Sequence, residues 1–254
     1  MSAAGEPSDR PCAHPLGAGT SRTPTRTLLS DKRHMRYEIS WDLVVSLLPL
    51  FFRGALATVC LAALSVSIGM VIGIVGAAAR VGPVATLRWV MRSYVEVIRN
   101  TPMLVQLYFV YYGLPRLGIR FDSYRTALIA LSIYCGAYIL EIVRAGIEAV
   151  DRGQIEAGRA SGLSEFLLFR WVVLPQAIRT SLPALAGQVV VMVKMSSLAS
   201  VIGASELMYL VVDVVAQTYR SFELYAMAGL TYLALTLGVA ALFRLTEARL
   251  RVPH

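Results

Sequence analysis

The chain has 254 residues, of which 56% are hydrophobic and 16% charged, and its mean hydropathy is +0.61. Soluble domains carry about 25% charged residues, so this composition excludes a soluble protein and indicates a polytopic membrane protein. In so apolar a chain we interpret the net charge of +8 as arginines that mark the cytoplasmic side of a membrane, not as a nucleic-acid site. The scattered cysteines and histidines predict neither a disulfide framework nor a metal site.

The first 34 residues are rich in Ser, Thr, Pro, Gly and Arg and lack apolar periodicity, which predicts a disordered tail. They also lack the apolar core of a signal peptide. Met35 stands just before the apolar part of the chain, and our hypothesis is that translation starts there and that residues 1–34 are a start-site artefact. Residues 35–254 are then the membrane domain, entered by an amphipathic segment over residues 37–52.

The first predicted span covers residues 54–80. Its 26 residues from 54 to 79 carry no charge, and a span needs about 20. Small residues recur along it and favour close helix packing. Among them are Gly54, Gly69, Gly73 and Gly76.

The second predicted span lies in residues 101–115, which are uncharged but only 15 in number. We therefore expect it to borrow its first turns from the preceding segment, where four charged residues share one helical face. That face is either solvated at the cytoplasmic border or in contact with another subunit. Gln106, inside the apolar run, is expected to require a hydrogen-bond partner. The four charged residues are Arg88, Arg92, Glu96 and Arg99.

The third predicted span, residues 126–150, contains Glu141 and Arg144. Three residues apart on a helix, the two side chains can pair. Ionisable groups at this depth are costly, so they face the bundle interior or an aqueous path and not lipid. Two interpretations remain open: an ion pair that locks the bundle, or a carboxylate that lines a translocation path.

Residues 154–175 follow, and we call this segment the elbow. Its closely spaced charges would be rejected by hydrocarbon, so it is predicted to lie in water or at the membrane surface. Gly162 marks a turn, and Ser164 followed by Glu165 is typical of the start of a new short helix. The elbow is therefore predicted to be helix, glycine turn, helix.

The fourth predicted span begins at Pro175, and Pro183 lies eight residues further on. Two prolines at this spacing predict a bent or interrupted helix. Lys194, near its end, has two open interpretations: binding a substrate carboxylate or reaching to the outer interface. Residues 204–220 predict a lateral amphipathic helix, and the uncharged residues 224–243 predict the last span.

Five spans place the two ends of the chain on opposite sides of the membrane. The side that holds the elbow and the C-terminus carries 12 Arg and Lys, and the other side carries six if the tail is left out. The positive-inside rule therefore predicts that the elbow and C-terminus are cytoplasmic and the N-terminus is outside. The tail would add six positive charges to the outer side, which is a second reason to doubt it.

The elbow carries a family resemblance. Glu156, Ala157 and Gly158, followed by Gly162 and then Val172 to Pro175, resemble the EAA loop of integral membrane permease subunits of ATP-binding-cassette (ABC) importers. Gly158 departs from the family's usual alanine. Further matching stretches are typical of the branch that transports polar amino acids, such as His, Glu, Gln and Arg, and opines. They are Arg99 to Pro102 with Leu104 to Leu107, Gly136 to Tyr138 with Glu141, Arg144 to Ile147, Leu174 to Ala177, and Ser197 to Gly203.

The resemblance implies a fold and partners. The fold is an all-α bundle of about five transmembrane helices with a cytoplasmic coupling helix, in the inner membrane of a bacterium. The partners are an ABC ATPase subunit, which binds the ATP and docks on the loop, an external substrate-binding protein, a second permease subunit, identical or related, and membrane lipid. No cofactor is expected in this chain.

The resemblance also implies residue roles. The coupling residues would be Glu156, Ala157, Gly158, Gly162, Leu174 and Pro175, with Leu174 and Pro175 ending the loop and setting the angle of the fourth span. For Glu156, a first-turn helix cap is the alternative. The candidate path residues are Gln106, Glu141, Arg144, Lys194 and Ser197.

Two other classes were weighed. An ion- or proton-coupled secondary amino acid carrier would use Glu141 and Arg144 without an ATPase. A membrane-embedded enzyme would need a nucleophile or a set of metal ligands, and the sequence has no His-Glu-x-x-His motif and no histidine in a predicted span. Neither lysine of the chain lies in a phosphate-binding P-loop, so this chain is not itself the ATPase.

Overall fold

The computed structural model describes residues 41–250, and the side chains of residues 42–245. The predicted tail, residues 1–34, and the proposed start at Met35 lie outside the described residues. Within that range the chain is helical and contains no strand, which confirms the predicted all-α fold. The helices are α1 (Trp41–Val81), α2 (Ala85–Arg99), α3 (Met103–Gly113), α4 (Ser123–Glu148), α5 (Arg152–Ala160), α6 (Glu165–Leu168), α7 (Leu174–Met195), α8 (Leu207–Thr218) and α9 (Ser221–Leu250).

Shorter segments of other helix types join some of these helices. A π-helical turn, Phe169–Val173, connects α6 to α7. A 3-10 segment, Ser196–Ile202, follows α7, and another, Leu114–Leu117, follows α3. The helix predicted within residues 204–220 is confirmed as α8, and its lateral position in the membrane stays a prediction.

Helices α1 and α4 pack side by side in the same direction. A Cβ atom added to Gly69 would lie 2.7 Å from the Cβ of Cys135, and one added to Gly73 would lie 2.5 Å from a methyl carbon of Ile139. Larger residues at these positions would push the helices apart, so the predicted close packing at small residues is confirmed. Because contacts advance along both helices together, both C-termini lie at the same end of the bundle.

Helix α7 runs the other way. Its Ser181 donates a hydrogen bond to the Ile142 carbonyl at 3.4 Å, near the C-terminus of α4. Gly203, after α7, lies next to Ser123 at the start of α4.

Since α1 ends at the elbow end of the bundle and α4 begins at the opposite end, the chain must cross back through α2 and α3. Helix α9 runs parallel to α1, because its Leu224 packs with Phe51 and its Tyr232 lies at the level of Thr58. Over residues 41–250 the bundle therefore has five traverses.

In the part of the chain that the structure describes, four helical runs are individually long and apolar enough to cross a membrane: residues 42–81, 123–148, 165–202 and 221–245. The remaining traverse is divided. Helices α2 and α3 have 15 and 11 residues, each shorter than the roughly 20 that a span needs. The break falls at Asn100 to Pro102, because proline has no N–H to continue the helix.

Gln106 compensates for this break. In an unbroken helix the Ile98 carbonyl would accept the N–H of residue 102, which is proline. Instead, the Gln106 amide nitrogen donates to the Ile98 carbonyl at 2.8 Å, and also to the carbonyl and the hydroxyl of Thr101 at 3.0 and 2.8 Å. The partner predicted for Gln106 is therefore the helix break itself.

Replacing Gln106 with leucine is expected to destabilise the protein by about 1–3 kcal/mol, because the carbonyls at the break lose their donor away from water. The measurement is thermal unfolding of the purified protein in detergent. Gln217→Leu is the matched control, since that amide lies exposed on α8 and bonds only a neighbouring Asp213 side chain at 3.0 Å. Equal effects of the two changes would contradict the role of Gln106.

The core of the bundle lies between α1, α3, α4, α7 and the 3-10 segment. Its fully buried side chains include Leu61, Leu107, Leu131, Ile139 and Met192. Helix α7 is continuous through Pro183, which differs from the predicted interruption. The departure from α-helical geometry lies before Pro175 instead, in the π-helical turn.

Candidate functional site

The elbow contains the predicted helix, glycine turn and second helix. Asp151 caps α5 by accepting the Gly153 N–H at 2.8 Å. At the other end the Gly162 N–H donates to the Arg159 carbonyl at 3.0 Å and the Leu163 N–H to the Gly158 carbonyl at 3.2 Å. This is the Schellman arrangement, which requires a left-handed residue. Gly162 provides it with φ of 80°.

Gly158 permits the two helices of the elbow to approach closely. A Cβ atom added there would lie 2.4 Å from a methyl carbon of Leu168, which is buried at 2% exposure. The alanine usual at this position in the resembling family would therefore require Leu168 to move. The departure from the family pattern thus has a packing reason.

An ion pair joins the two helices across the turn. Arg159 contacts Glu165 through two hydrogen bonds of 2.8 and 3.2 Å. Hydrogen bonding to Glu165 raises the pKa of Arg159 above its ordinary value. Since both side chains are exposed, the ion pair contributes little to stability, and its main effect is to orient the two helices of the elbow relative to each other.

The second helix of the elbow continues into the fourth span. Helix α6 begins at Ser164, whose hydroxyl accepts the Leu167 N–H at 3.4 Å, and it passes through the π-helical turn directly into α7. Leu174 and Pro175 begin α7, where the elbow meets the fourth span. Their role in ending the coupling loop and setting the angle of that span stays a prediction. Pro175 lies in the first turn of α7, where a missing N–H is tolerated. The wider turn before it makes room for its ring.

The elbow presents an exposed surface with apolar and charged side chains. Phe166 and Trp171 are 75% and 66% exposed. Glu156 is exposed on the second turn of α5, and α5 has no acidic residue in its first turn. The alternative interpretation of Glu156 as a first-turn cap is wrong, because Asp151 caps the helix.

A second candidate site is a cluster of charges near the elbow end of α4. Arg144 donates hydrogen bonds to Glu141 and to Glu148, which confirms the predicted pairing of Glu141 with Arg144. Arg80, at the end of α1, approaches the other oxygen of Glu141 at 3.8 Å. At that distance no hydrogen bond forms, and among the described residues these two facing atoms have no other hydrogen-bond partner.

A cavity of about 430 Å³ opens beside this cluster and is lined by Glu141, Thr180 and Ser181, together with Arg99 and Tyr138. The Arg99 guanidinium lies 5.2 Å from the centre of the Tyr138 ring. A carboxylate, a guanidinium and an aromatic face thus meet in a partly exposed cavity. Such a cavity can bind a small zwitterion.

The sequence predicted neither Arg99 nor Tyr138 in this cavity and did not predict Arg80 next to Glu141. In the sequence, Arg80 marks the end of the uncharged residues 54–79, and nothing there indicates a contact with Glu141. Arg99 was grouped with Arg92 and Glu96, which in the structure form a separate exposed pair at 2.8 Å. Arg99 instead turns toward α4. The sequence signal that could have separated Arg99 from Arg92 and Glu96 is its position directly before the helix break at Asn100 to Pro102.

The other predicted path residues lie elsewhere. Lys194 is exposed in the last turn of α7, thirteen residues beyond Ser181, which is roughly 20 Å along a helix. Ser197 donates to the Lys194 carbonyl at 2.7 Å. The structure therefore brings Glu141 and Arg144 together but separates them from Lys194 and Ser197. Among the described residues, no group of three or more His, Cys, Asp or Glu side chains could hold a metal ion.

The fold and these two sites define an integral membrane component of a transporter. Residues 68–252 match the model of the family described as binding-protein-dependent transport system inner membrane component. The chain belongs to this family. It is therefore a transporter subunit and not an enzyme, and the alternative of an ion- or proton-coupled carrier is left without support.

Three proteins that resemble this chain belong to transporters named for amino acids or octopine. The octopine transport system permease protein OccM of Rhizobium meliloti is 39% identical over 82% of this chain and 86% of its own length. The glutamine transport system permease protein GlnP of Escherichia coli (strain K12) is 34% identical over 85% of this chain and 99% of its own. A crystal structure of an amino acid ABC transporter with histidines contains a chain with a TM-score of 0.80 and 39% identity, covering 84% of this chain and 99% of that one.

Proposed function

We propose that this chain is the permease subunit of an ATP-driven importer of polar amino acids or closely related compounds in the inner membrane of a bacterium. The family assignment supports an importer that depends on a binding protein. Two relatives are named for octopine and glutamine, which supports a polar amino acid or a derivative of one. The observation that carries the proposal is the exposed elbow joined without a break to a membrane-crossing helix.

The elbow is the proposed docking site for an ABC ATPase. Glu156 and Ala157 are exposed on α5, while Gly158 and Gly162 set the angle to the second helix. Leu174 and Pro175 belong to the rigid connection to α7. Movement of the elbow by the ATPase would therefore tilt α7, because no flexible loop between them could absorb it.

The ATPase is expected to bind the apolar tip of the elbow. Replacing Phe166 with serine should weaken copurification of the ATPase subunit by about tenfold, because an aromatic side chain that fills a pocket often dominates an interface. Phe121→Ser is the control, since this 41% exposed residue lies before α4, at the opposite end of the bundle. Unchanged copurification of the Phe166 variant would contradict the docking role.

The charged cavity is the proposed part of the translocation path. Glu141 can accept the ammonium group of an amino acid, and Arg99, on the same cavity, can bind its carboxylate. This assignment extends the predicted path residues Glu141 and Arg144 to the cavity that surrounds them. Gln106, Lys194 and Ser197 remain predictions for other parts of the path.

A second permease subunit, either identical or related, completes the proposed transporter. One bundle with five traverses offers little enclosed space for a solute path. Apolar side chains of α2 and α3 are exposed and line a further cavity of about 450 Å³, among them Val97, Val105 and Phe109. This surface can pack against the second subunit.

The proposed orientation has the elbow and C-terminus in the cytoplasm and the N-terminus outside. The excess of arginine at the elbow end supports it. So does the arrangement of the helices, since the start of α1 and the end of α9 lie at opposite ends of the bundle. Membrane-impermeant labelling of a single cysteine at Ser161, in the turn of the elbow, would test it from either side of sealed vesicles.

Reconstitution tests the whole proposal. The chain is purified with a candidate ABC ATPase and a candidate binding protein from the same organism, placed in liposomes, and assayed for uptake of radiolabelled polar amino acids and opines. Uptake should require ATP inside the liposomes and the binding protein outside. Uptake by the chain alone, or with no ATP, would contradict the proposal.

A further inference from the structure

A buried carboxylate lies far from both sites described above. Glu206 is completely buried and caps the N-terminus of α8, accepting the Tyr209 N–H at 2.9 Å through one oxygen. Its other oxygen accepts the hydroxyl of Thr58 at 3.1 Å and the hydroxyl of Tyr232 at 2.7 Å. These partners belong to α8, α1 and α9, so one side chain connects three helices.

Thr58 closes the arrangement. Its hydroxyl donates to Glu206 and accepts the Leu207 N–H at 3.1 Å, which satisfies a second backbone donor at the start of α8. Thr58 is itself completely buried. Helix N-termini favour a negative group, and here the carboxylate binds donors from two other helices as well.

The apolar packing around the carboxylate depends on the same positions. A Cβ atom added to Gly54 of α1 would lie 2.9 Å from the Leu207 Cα, so α1 and α8 are in close backbone contact one turn before Thr58. Leu207 and Val211 of α8 pack with Phe51 of α1 and Leu224 of α9 in a separate small core. This small core needs α8 to be held in a single position.

We propose that Glu206 is a positioning residue that fixes α8 against α1 and α9 at the end of the bundle opposite the elbow. Residues 203–206 connect α8 to the 3-10 segment, whose Ala199 and Ile202 belong to the main core. This connection is short and is itself held to the segment, since the Ala204 N–H donates to the Ala199 carbonyl at 3.1 Å. Fixing α8 therefore also fixes the 3-10 segment, and this end of the bundle keeps its structure when the elbow moves.

Thiol labelling of Val211 tests the proposal without any transport assay. Val211 is 1% exposed on α8, and its replacement by cysteine is a conservative change. In a full-length chain with Cys12 and Cys60 changed to serine, a maleimide reagent is applied to opened native membranes. Glu206→Gln should accelerate labelling of the cysteine at 211 by about tenfold. The amide has one acceptor oxygen in place of two, so either the two hydroxyls or the Tyr209 N–H meet an NH2 group instead of an acceptor, and α8 opens more often.

Three comparisons decide the outcome. Tyr232→Phe removes a single donor and should give a smaller acceleration, whereas Asp213→Asn, on the exposed side of α8, should give none. Native Cys135 is completely buried and reports general unfolding, so it should remain unlabelled in every variant.

Unchanged labelling at 211 in both Glu206→Gln and Tyr232→Phe would overturn the proposal. Labelling of Cys135 at the same rate as the cysteine at 211 would overturn it too, since the effect would then be general. If Glu206→Gln does not reach the membrane, the Tyr232→Phe result decides alone. None of these outcomes bears on the proposed importer function.

Discussion

Replacing Gly162 with valine is expected to abolish transport while leaving the protein in the membrane. The backbone at this position has φ of 80°, which a β-branched residue adopts only at a cost of about 1–3 kcal/mol. Space is not the obstacle, since no atom lies within 4 Å of an added Cβ. The turn itself must change, and with it the angle between α5 and α6. Uptake is measured in vesicles, with the amount of protein in the membrane determined by immunoblotting.

Gly118 offers a matched control for this prediction. It also has positive φ, of 82°, and open space around an added Cβ, but it lies in the loop after α3 at the opposite end of the bundle. Gly118→Val should therefore impose similar backbone strain and leave uptake largely intact. Undiminished uptake by the Gly162 variant would count against the elbow as the coupling element.

Replacing Glu141 with glutamine is expected to reduce uptake by at least about tenfold, because the neutral side chain no longer pairs with Arg144 and Arg80 in a partly buried cluster. The side chain of Glu141 is only 23% exposed, whereas Glu148, the other partner of Arg144, is 56% exposed. Glu148→Gln is therefore the control and should change uptake little. A similar loss of uptake in both variants would contradict a specific role of Glu141, because neutralising either partner of Arg144 would then have the same effect.

A labelling experiment separates a path residue from a structural ion pair. Thr180 lines the same cavity as Glu141, and a cysteine placed there should react with a small thiol reagent more slowly when the transported amino acid is present. Glu141→Gln should remove this protection. If the substrate never protects the cysteine, the ion pair only stabilises the bundle and the cavity lies outside the path.

The family resemblance found in the sequence agrees with the family that the comparisons show, because the elbow pattern is local. A glycine turn between two short helices depends on residues close together in the chain, and Ser164 and Gly162 have the predicted roles. The cap of α5 is local as well, because Asp151 directly precedes the helix and accepts the Gly153 N–H. The continuous junction at Pro175 could not be predicted from nearby residues, since the sequence does not show whether a proline ends a helix or begins one.

Only part of the charged cluster and its cavity could be predicted from the sequence. The spacing of Glu141 and Arg144 predicts their pairing, because three residues along a helix return to the same face. Arg80 comes from α1 and Arg99 from α2, and their approach to α4 depends on the parallel packing of α1 with α4 and on the break at Pro102. Proline is a local signal for the break, but no local pattern encodes the packing of α1 and α2 against α4.

By itself, the sequence determined the membrane-embedded helical class of this protein, the approximate positions of its traverses and the elbow between the third and fourth. Apolar run lengths, charge spacing and turn residues are properties of neighbouring residues, and the bilayer leaves helices as the simplest way to satisfy their backbone. Only the tertiary structure decided that the traverse shared by α2 and α3 is broken between them, that Gln106 bonds the break, and that Glu206 joins three helices. Those features depend on contacts between residues as many as 148 positions apart, which helix packing creates and sequence spacing does not reveal.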